Sequence, residues 1–306
     1  MSSSSSIHRI RRKQVFEDPR IPLSVRRIES HRTSPYPHGH DFQELVIILD
    51  GWGRHRVGEF DYEIRAGEIF VLTGTMTHHY PDVRNLSLIN VLFDAEALGF
   101  VDWDLGEIPG YYALFEIEPR MRRIGSFPNR LRLDLDEFAG VNEMVTEIES
   151  ELETRREGYR FLAISHFRRL VGFLSRRYSE KPRTRINGAV QLSRVLSYIE
   201  QHHSEPMDVA TLCRVGCLSR SSLMRKFRAV TGSSPLDYLI RYRIGQAQRL
   251  LRGTDLSISE IGLRTGFCDG NYFTRQFRRI TGTPPSEWRR RPEARGDAVA
   301  HNPRPR

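Results

Sequence analysis

The chain has 306 residues, which is long enough for two domains that each bury a core. Its 39% hydrophobic and 28% charged residues are typical of a globular protein, and no apolar run approaches the roughly 18 residues of a transmembrane helix. The three cysteines, Cys213, Cys217 and Cys268, all lie in the C-terminal third, which argues against a disulfide framework. We therefore expect a cytoplasmic protein without a membrane partner.

The net charge of +9 is unevenly distributed along the chain. Residues 185–306 contain 21 Arg and Lys against 10 Asp and Glu, whereas residues 1–184 contain 26 against 28. Nearly all of the C-terminal excess is arginine, whose planar guanidinium fits phosphates and guanine edges. This distribution favours a nucleic acid partner for the C-terminal third over a basic surface that is merely solvated.

The N-terminal half changes its pattern twice. The first residues, MSSSSSIHRIRRK, are basic with no apolar stretch behind them, so they do not resemble a secretory signal, and residues 1–32 are predicted to be a disordered tail or arm. From about Tyr36 to Phe93, short apolar segments alternate with glycine turns, which predicts a small antiparallel barrel or sandwich. The segment from Pro109 to Pro128 shows no clear period and is predicted to be irregular.

Two helices are predicted next. In the first, apolar residues recur at intervals of three and four, with acidic residues on the flanks: Phe138, Val141, Val145, Ile148 and Leu152. This narrow heptad seam favours a helix-to-helix dimer contact. If that is so, a charge at Val145 should give monomers. The alternative is that the helix packs on its own chain. A second, more buried helix is predicted from Tyr159 to Tyr178. The polar segment after it is the best linker candidate.

The C-terminal third contains an internal repeat. An offset of 50 residues aligns Gly216 with Gly266, Phe227 with Phe277, and Thr231-Gly232 with Thr281-Gly282. Each copy has a short apolar helix, a turn with glycine and a second helix, which is the layout of a helix-turn-helix. Between the copies, PLDYLIRYRIGQAQRLLRG is predicted as one helix of about 25 Å, begun by Pro235 and ended by Gly253. Such a helix could hold two recognition helices near one DNA turn apart.

The repeat resembles the AraC/XylS family of bacterial transcription regulators, whose signature is matched by SISEIGLRTGFCDGNYFTRQFRRITGTPPSEWRR and, upstream, by LSRSSLMRKFRAVTGSSPLDYLIRYRIGQAQRLL. The N-terminal segment HDFQELVIILDGWGRHRVGEFDYEIRAGEIFVLTGTMTHHYPDVRNLSLINVLF, followed by GYYALFEIEP, resembles the sensor of the rhamnose-operon regulators within this family. The resemblance implies a cupin-like barrel that binds a small sugar, with L-rhamnose as the first candidate. It also implies a homodimer that binds double-stranded DNA at promoter half-sites and activates transcription with RNA polymerase.

These patterns together predict a two-domain chain, β then α. An N-terminal cupin-like β-barrel with a helical dimerisation element precedes a C-terminal all-α tandem helix-turn-helix domain. The predicted boundaries are a tail at 1–32, an effector-binding and dimerisation domain at 33–180, a linker at 181–187, a DNA-binding domain at 188–291 and a disordered tail at 292–306.

The predicted DNA contacts lie on the second helix of each repeat. Leu223 and the phenylalanines must face the core, so the opposite side of each helix is turned outward. The outward residues predicted to contact DNA are Arg220, Ser221, Met224 and Arg225 in the first copy and Gly270, Asn271, Thr274, Arg275 and Arg278 in the second. Arg225 and Arg275 are equivalent in the repeat and are predicted to read guanines, whereas Asn271 suits adenine or a phosphate. The alternative is that an outward arginine is merely solvated.

The segment PHGHDFQELVIILDG raises the question of a metal site. It matches the first part of the cupin pattern, H-x-H-x₃-E-x₆-G, through His38, His40, Glu44 and Gly51. In the second part Gly67 and His78 are present, but the usual proline, glycine and asparagine are replaced by Thr73, Thr75 and Asp82. Four potential ligands of a divalent transition metal thus survive: His38, His40, Glu44 and His78.

We predict that this region is a metal-free effector pocket with no cofactor and no catalytic residue. Histidines and a carboxylate also bind sugar hydroxyls, and turnover adds nothing obvious to a chain built around DNA binding. Strand parity adds two residues, so the predicted effector-binding set is His38, His40, Glu44, Arg54, His78 and Tyr80. The alternatives are a metal-assisted sensor, a metal-dependent cupin enzyme fused to a DNA-binding domain, and a ligand-free barrel that serves only dimerisation.

Overall fold

The computed structural model describes residues 8–34, 36–74, 76–99, 104–123, 125, 131–180 and 188–290. The chain separates into two compact units, residues 1–189 and 190–306. The first is built on a β-sheet and the second is helical, in agreement with the predicted order of β then α. Thr75, the linker predicted at 181–187 and the tail predicted at 292–306 lie outside the described residues. Within the described residues, no helix combines the length and the apolar character that a bilayer crossing requires.

The N-terminal unit contains a mixed sheet of eight strands: β1 (His8–Ile10), β2 (Leu23–Ile28), β3 (His38–His40), β4 (Gln43–Val57), β5 (Phe60–Arg65), β6 (Glu68–Leu72), β7 (Thr77–Phe93) and β8 (Leu131–Arg132). The strand order is β1-β3-β7-β4-β6-β8, with β2 paired to β7 and β5 paired to β4. Among the strands that the structure describes, only β1 and β3 are parallel. Because alternate residues of a strand share a face, the long strands β4 and β7 contribute Val46, Ile48, Leu86 and Leu88 to one buried cluster.

Glycine is required where β4 changes register. Gly51 has a φ of +81°, and a Cβ at this position would lie 2.2 Å from the carbonyl oxygen of Asn85. The pairing of β4 with β7 is irregular on both sides of Gly51, between Ile48 and Asp50 and between Asp50 and Trp52. The glycine of the sequence pattern thus serves a bulge in the sheet.

Residues 8–28 contribute two strands to the sheet and are not a disordered tail. β2 pairs with β7 along its whole length, and β1 pairs with β3. Phe16 lies between these strands in the chain, and its ring packs on Phe42 at 5.6 Å between centroids. The prediction for this part of 1–32 is wrong because its few apolar residues show no strand period, and their order comes from pairing with distant strands.

Residues 109–123, which make up most of the segment predicted to be irregular, are helical, and 124 and 126–128 lie outside the described residues. α1 (Pro109–Tyr111) continues as a π-helical turn over Tyr112–Ile117 and then as α2 (Glu118–Arg123). Pro119 has no N–H for the carbonyl four residues earlier, and its ring pushes that carbonyl away. A wider π turn accommodates this change, and the interruption hid the helical period from the sequence analysis.

The predicted heptad seam packs inside its own chain. α3 (Leu135–Thr154) begins with a capping box between Asp134 and Glu137 and contacts both α4 (Tyr159–Glu180) and β2. Val145 and two other residues of the seam, Val141 and Ile148, are fully buried in the single chain. These three residues are therefore not available for the predicted dimer contact, because heptad spacing does not reveal whether the partner helix belongs to the same chain. The other two residues of the prediction, Phe138 and Leu152, are half-buried, and a dimer contact through them stays a prediction.

The C-terminal unit contains seven helices among the described residues: α5 (Gly188–Gln201), α6 (Val209–Gly216), α7 (Arg220–Thr231), α8 (Pro235–Gly253), α9 (Ile258–Arg264), α10 (Gly270–Thr281) and α11 (Pro285–Arg290). The bounds of α7 and α10 differ by 50 residues, as the internal repeat predicts. Gly232 and Gly282 end these two helices in the left-handed conformation. The two copies are thus equivalent helix-turn-helix units joined by α8.

Arg243 on α8 ties the two helix-turn-helix units together. Its Nε donates to the carbonyl of His203 at 2.6 Å and its Nη2 to the carbonyl of Glu205 at 2.8 Å, both just after α5. Its guanidinium also lies over the ring of Phe267, 5.7 Å from the centroid, in the turn between α9 and α10. Gly266 is required beside it, because a Cβ there would approach the guanidinium to 2.9 Å. Arg243 therefore joins the connection between α5 and α6 to the turn of the second helix-turn-helix unit.

Candidate DNA-binding surface and effector site

The two recognition helices, α7 and α10, are fixed by their caps and by their apolar faces. The side chain of Ser219 accepts a backbone N–H at the start of α7, and Asp269 does the same for α10. The apolar anchors Leu223, Phe227, Phe273 and Phe277 are fully buried. The opposite face of each helix is consequently held toward solvent.

All nine residues that were predicted to contact DNA are exposed in the structure: Arg220, Ser221, Met224, Arg225, Gly270, Asn271, Thr274, Arg275 and Arg278. On α10 a shallow groove is lined by Asn271, Thr274, Arg275, Arg278 and Arg279. The guanidinium of Arg275 lies 5.3 Å from the ring centroid of Tyr272, which restrains its direction. Arg279 was missed by the sequence analysis, although its place next to Arg278 in an arginine pair could have indicated it.

Both recognition helices carry basic residues and no acidic ones. An arginine can pair with two acceptors of a guanine or with a phosphate, and a helix without carboxylates does not repel the DNA backbone. The exposed faces of α7 and α10 are therefore suited to the major groove.

In the N-terminal unit, three strands bring a buried triad together. His40 ends β3, Glu44 lies near the start of β4, and His78 lies near the start of β7. The Nε2 of His40 is 3.2 Å from a carboxylate oxygen of Glu44, and the Nε2 of His78 is 3.7 Å from the same oxygen. We call these three residues the His–Glu triad.

Further polar residues surround the triad. His55 is fully buried on β4, and its Nε2 lies 3.2 Å from the Nδ1 of His78. His38 packs on His78 with 4.3 Å between ring centroids, and His31 packs on Tyr80 at 4.4 Å. His38 is partly exposed, so this group of residues reaches the surface at that point.

Burial determines the charge of these groups. It lowers the pKa of His31 and His38, and it lowers the pKa of His78 well below its usual value, assisted by the neighbouring His55. Burial also raises the pKa of Tyr80 well above its usual value, assisted by Glu44. These shifts favour the neutral forms of His31, His38, His78 and Tyr80, whose polar atoms can bind hydroxyl groups.

Arg54 does not join this site, contrary to prediction. It is exposed, whereas its neighbour His55 faces the interior beside His78. The pairing of β4 with β7 shifts twice between Ile48 and Trp52, so strand parity cannot be carried from Glu44 to Arg54. The sequence analysis missed His55 for this reason, and it missed His31 because His31 lies outside any strand. Five of the six predicted residues do lie together: His38, His40, Glu44, His78 and Tyr80.

Comparison with known proteins matches a known domain family to each of the two units. Residues 212–291 match a helix-turn-helix domain family, and residues 22–130 match the AraC-like ligand binding domain family. The HTH-type transcriptional activator RhaR of Escherichia coli (strain K12) is 31% identical over 254 residues, which cover 82% of this chain and 86% of that protein. RhaR of Salmonella schwarzengrund (strain CVM19633) matches with the same identity and coverage. The DNA-binding domain of AdpA, solved in complex with a target DNA, is 39% identical over 32% of this chain and 89% of that chain, with a TM-score of 0.32.

The fold and these matches define a DNA-binding transcription regulator that carries a ligand-binding domain. The chain belongs to the AraC family, as the similarity to RhaR over most of both proteins shows. The relatives it matches at this level are named as transcriptional activators.

Proposed function

We propose that this protein is a transcriptional activator that binds promoter half-sites through both helix-turn-helix units and responds to a small sugar of the L-rhamnose type. One observation carries the proposal. The same chain holds two exposed, arginine-bearing recognition helices and a ligand-binding domain with a buried group of unpaired polar atoms. The activator role is supported by the relatives, which are named as activators.

The effector site is proposed around Tyr80, His31 and His38. The hydroxyl of Tyr80 and the Nδ1 of His31 are buried without a hydrogen-bond partner in the described structure. Such atoms cost free energy unless a ligand or water satisfies them. A sugar presents several hydroxyls that both donate and accept, so it matches a phenol and imidazoles at close spacing.

The proposal includes RNA polymerase and a second copy of the chain as protein partners. An activator has to contact the polymerase, and two half-sites are occupied most simply by a homodimer. The centre of the heptad seam on α3 is already buried, so a second copy would have to use other exposed side chains. Phe161 on α4 is 75% exposed and Leu162 is 40% exposed, and a subunit contact would cover both.

Thermal melting of the full chain against L-rhamnose and other sugars tests the effector. We expect L-rhamnose to raise the melting temperature, since a ligand at a hundred times its Kd stabilises the folded state by about 2.7 kcal/mol. Tyr80→Phe should reduce the shift, whereas the control Tyr36→Phe, at a residue that is 80% exposed, should leave it unchanged.

The same assay separates the competing functions. The absence of any shift with every sugar would contradict the effector proposal and favour a domain that serves only dimerisation. A shift accompanied by conversion of the sugar, measured by chromatography, would instead favour an enzyme. Repeating the melts with a chelator shows whether sugar binding depends on a metal.

A further inference from the structure

The two recognition helices expose equivalent positions of the internal repeat in the same way. Residues 221–229 of α7 and 271–279 of α10 have an identical order of buried, half-buried and exposed side chains. Met224 and Thr274 are equivalent at the offset of 50 residues, and each directly precedes an arginine that is predicted to read guanine. The two side chains therefore occupy the same place on the exposed face of their helices.

Met224 is an apolar side chain among polar neighbours on the exposed face of α7. It is 37% exposed, and the residues around it on this face are Arg220, Ser221 and Arg225. A methionine is unbranched and polarisable, so it adapts to small apolar surfaces, but it has no hydrogen-bond donor and no charge for a phosphate. The apolar group that the base edges offer in the major groove is the C5-methyl group of thymine.

Thr274 offers a methyl group at the equivalent position of α10, because its hydroxyl is already used. The Oγ1 of Thr274 donates to the carbonyl oxygen of Gly270 at 2.9 Å, one turn earlier in the helix. The hydroxyl proton is thus not available to a base, and the methyl group is left to contact one. Thr274 lines the groove of α10 with Asn271 and Arg275, so a base edge that enters this groove meets it.

We propose that Met224 and Thr274 each read the C5-methyl group of a thymine, one in each half-site, close to the guanine that the neighbouring arginine reads. The inference rests on the proposed function, because it requires both recognition helices to enter the major groove. A pair of acceptors identifies guanine, and a methyl group identifies thymine. Since the two positions repeat together, both half-sites should contain the same two bases in the same relation.

A contact through the hydroxyl is the alternative at Thr274. Its Oγ1 keeps a lone pair that can accept from the amino group of adenine or cytosine. Thr274→Val keeps the shape and the methyl group but removes the hydroxyl, whereas Thr274→Ser keeps the hydroxyl but removes the methyl group. The position is exposed, so neither change disturbs the core, and the pair of variants separates the two groups.

Replacement of thymine by deoxyuridine tests the inference, because deoxyuridine keeps the hydrogen-bonding groups and lacks only the methyl group. A site for the full chain is selected from a random pool, each thymine is replaced in turn, and the Kd is measured at fixed salt. We expect one thymine in each half-site at which the replacement weakens binding by about fourfold, the effect of one buried methyl-sized group. Thr274→Val should retain this sensitivity in both half-sites, whereas Thr274→Ser should lose it in one of them.

Met224→Gln should lose the sensitivity in the other half-site, because glutamine has a similar length but ends in a polar amide. Leu263→Gln is the control, since it changes a side chain on α9 that is 65% exposed and lies outside the recognition helices. It should leave both sensitivities unchanged, and circular dichroism will show that each variant folds.

Two results would overturn the inference alone: a selected site at which deoxyuridine has no effect, or a sensitivity that survives in both half-sites of Thr274→Ser or of Met224→Gln. Failure to select any site from the pool would contradict the proposed function, and the inference with it. The two failures are therefore distinguishable.

Discussion

Arg275→Ala is expected to weaken binding to a specific DNA site by about 5- to 150-fold, because a bidentate arginine–guanine pair contributes about 1–3 kcal/mol of discrimination. Arg275 is exposed on α10 within the groove formed with Asn271 and Thr274. The contact of its guanidinium with the Tyr272 ring already restricts the side chain, so Arg275 loses less conformational entropy when it binds DNA. Binding to unrelated DNA should fall much less, because that binding depends on the total charge.

The measurement is a competition between a selected site and unrelated DNA at fixed salt, using protein bound to DNA recovered from a random pool. Arg264→Ala is the matched control, since it removes one exposed arginine from α9 without touching a recognition helix. Equal losses in the two variants would contradict base readout by Arg275 and leave only a phosphate or solvated role.

Val145→Asp is expected to destabilise the N-terminal unit by about 3–5 kcal/mol, because it places an unpaired charge in a fully buried position. The heptad pattern alone predicted a different result, namely folded monomers. Urea unfolding followed by circular dichroism measures the loss of stability, and light scattering measures the mass of the fraction that remains folded.

Glu143→Lys is the control for Val145→Asp, because Glu143 is exposed on the same helix. It should change neither the unfolding midpoint nor the mass. If Val145→Asp kept its stability and its mass fell to that of one chain, the seam would be a subunit contact and its burial within the chain would be disproved.

The two helix-turn-helix units and α8 could be predicted from the sequence because their signals are local, whereas α5 and α11 were not predicted. Pro235 and Gly253 mark the ends of α8 in the sequence, and the structure has the same bounds. The two recognition helices repeat at a fixed offset, and the buried phenylalanines fix their outward faces. Caps, glycine stops and a period of 3.6 are all contained within short segments.

The sensor site was only partly predictable, because it depends on pairing between distant strands. His38, His40 and Glu44 stand together in the sequence, but the inward position of His55 follows from bulges in β4 and β7 that no short pattern shows. The strand at Leu23–Ile28 was missed because it is ordered by β7, far along the chain. The partner of α3 was misassigned because a heptad pattern does not identify the chain that it packs on.

The central claim is that a small sugar bound in the N-terminal unit controls DNA binding by the C-terminal unit. The most direct test is footprinting of the full chain on DNA selected from a random pool, with and without L-rhamnose. An effector acts only through a difference in its affinity for the free and DNA-bound states, and such couplings are typically about 1–3 kcal/mol. We expect two protected half-sites about 10 base pairs apart and a change in DNA affinity of about 5- to 150-fold on addition of the sugar. Identical footprints and affinities with L-rhamnose, with every other sugar and with none would contradict this account.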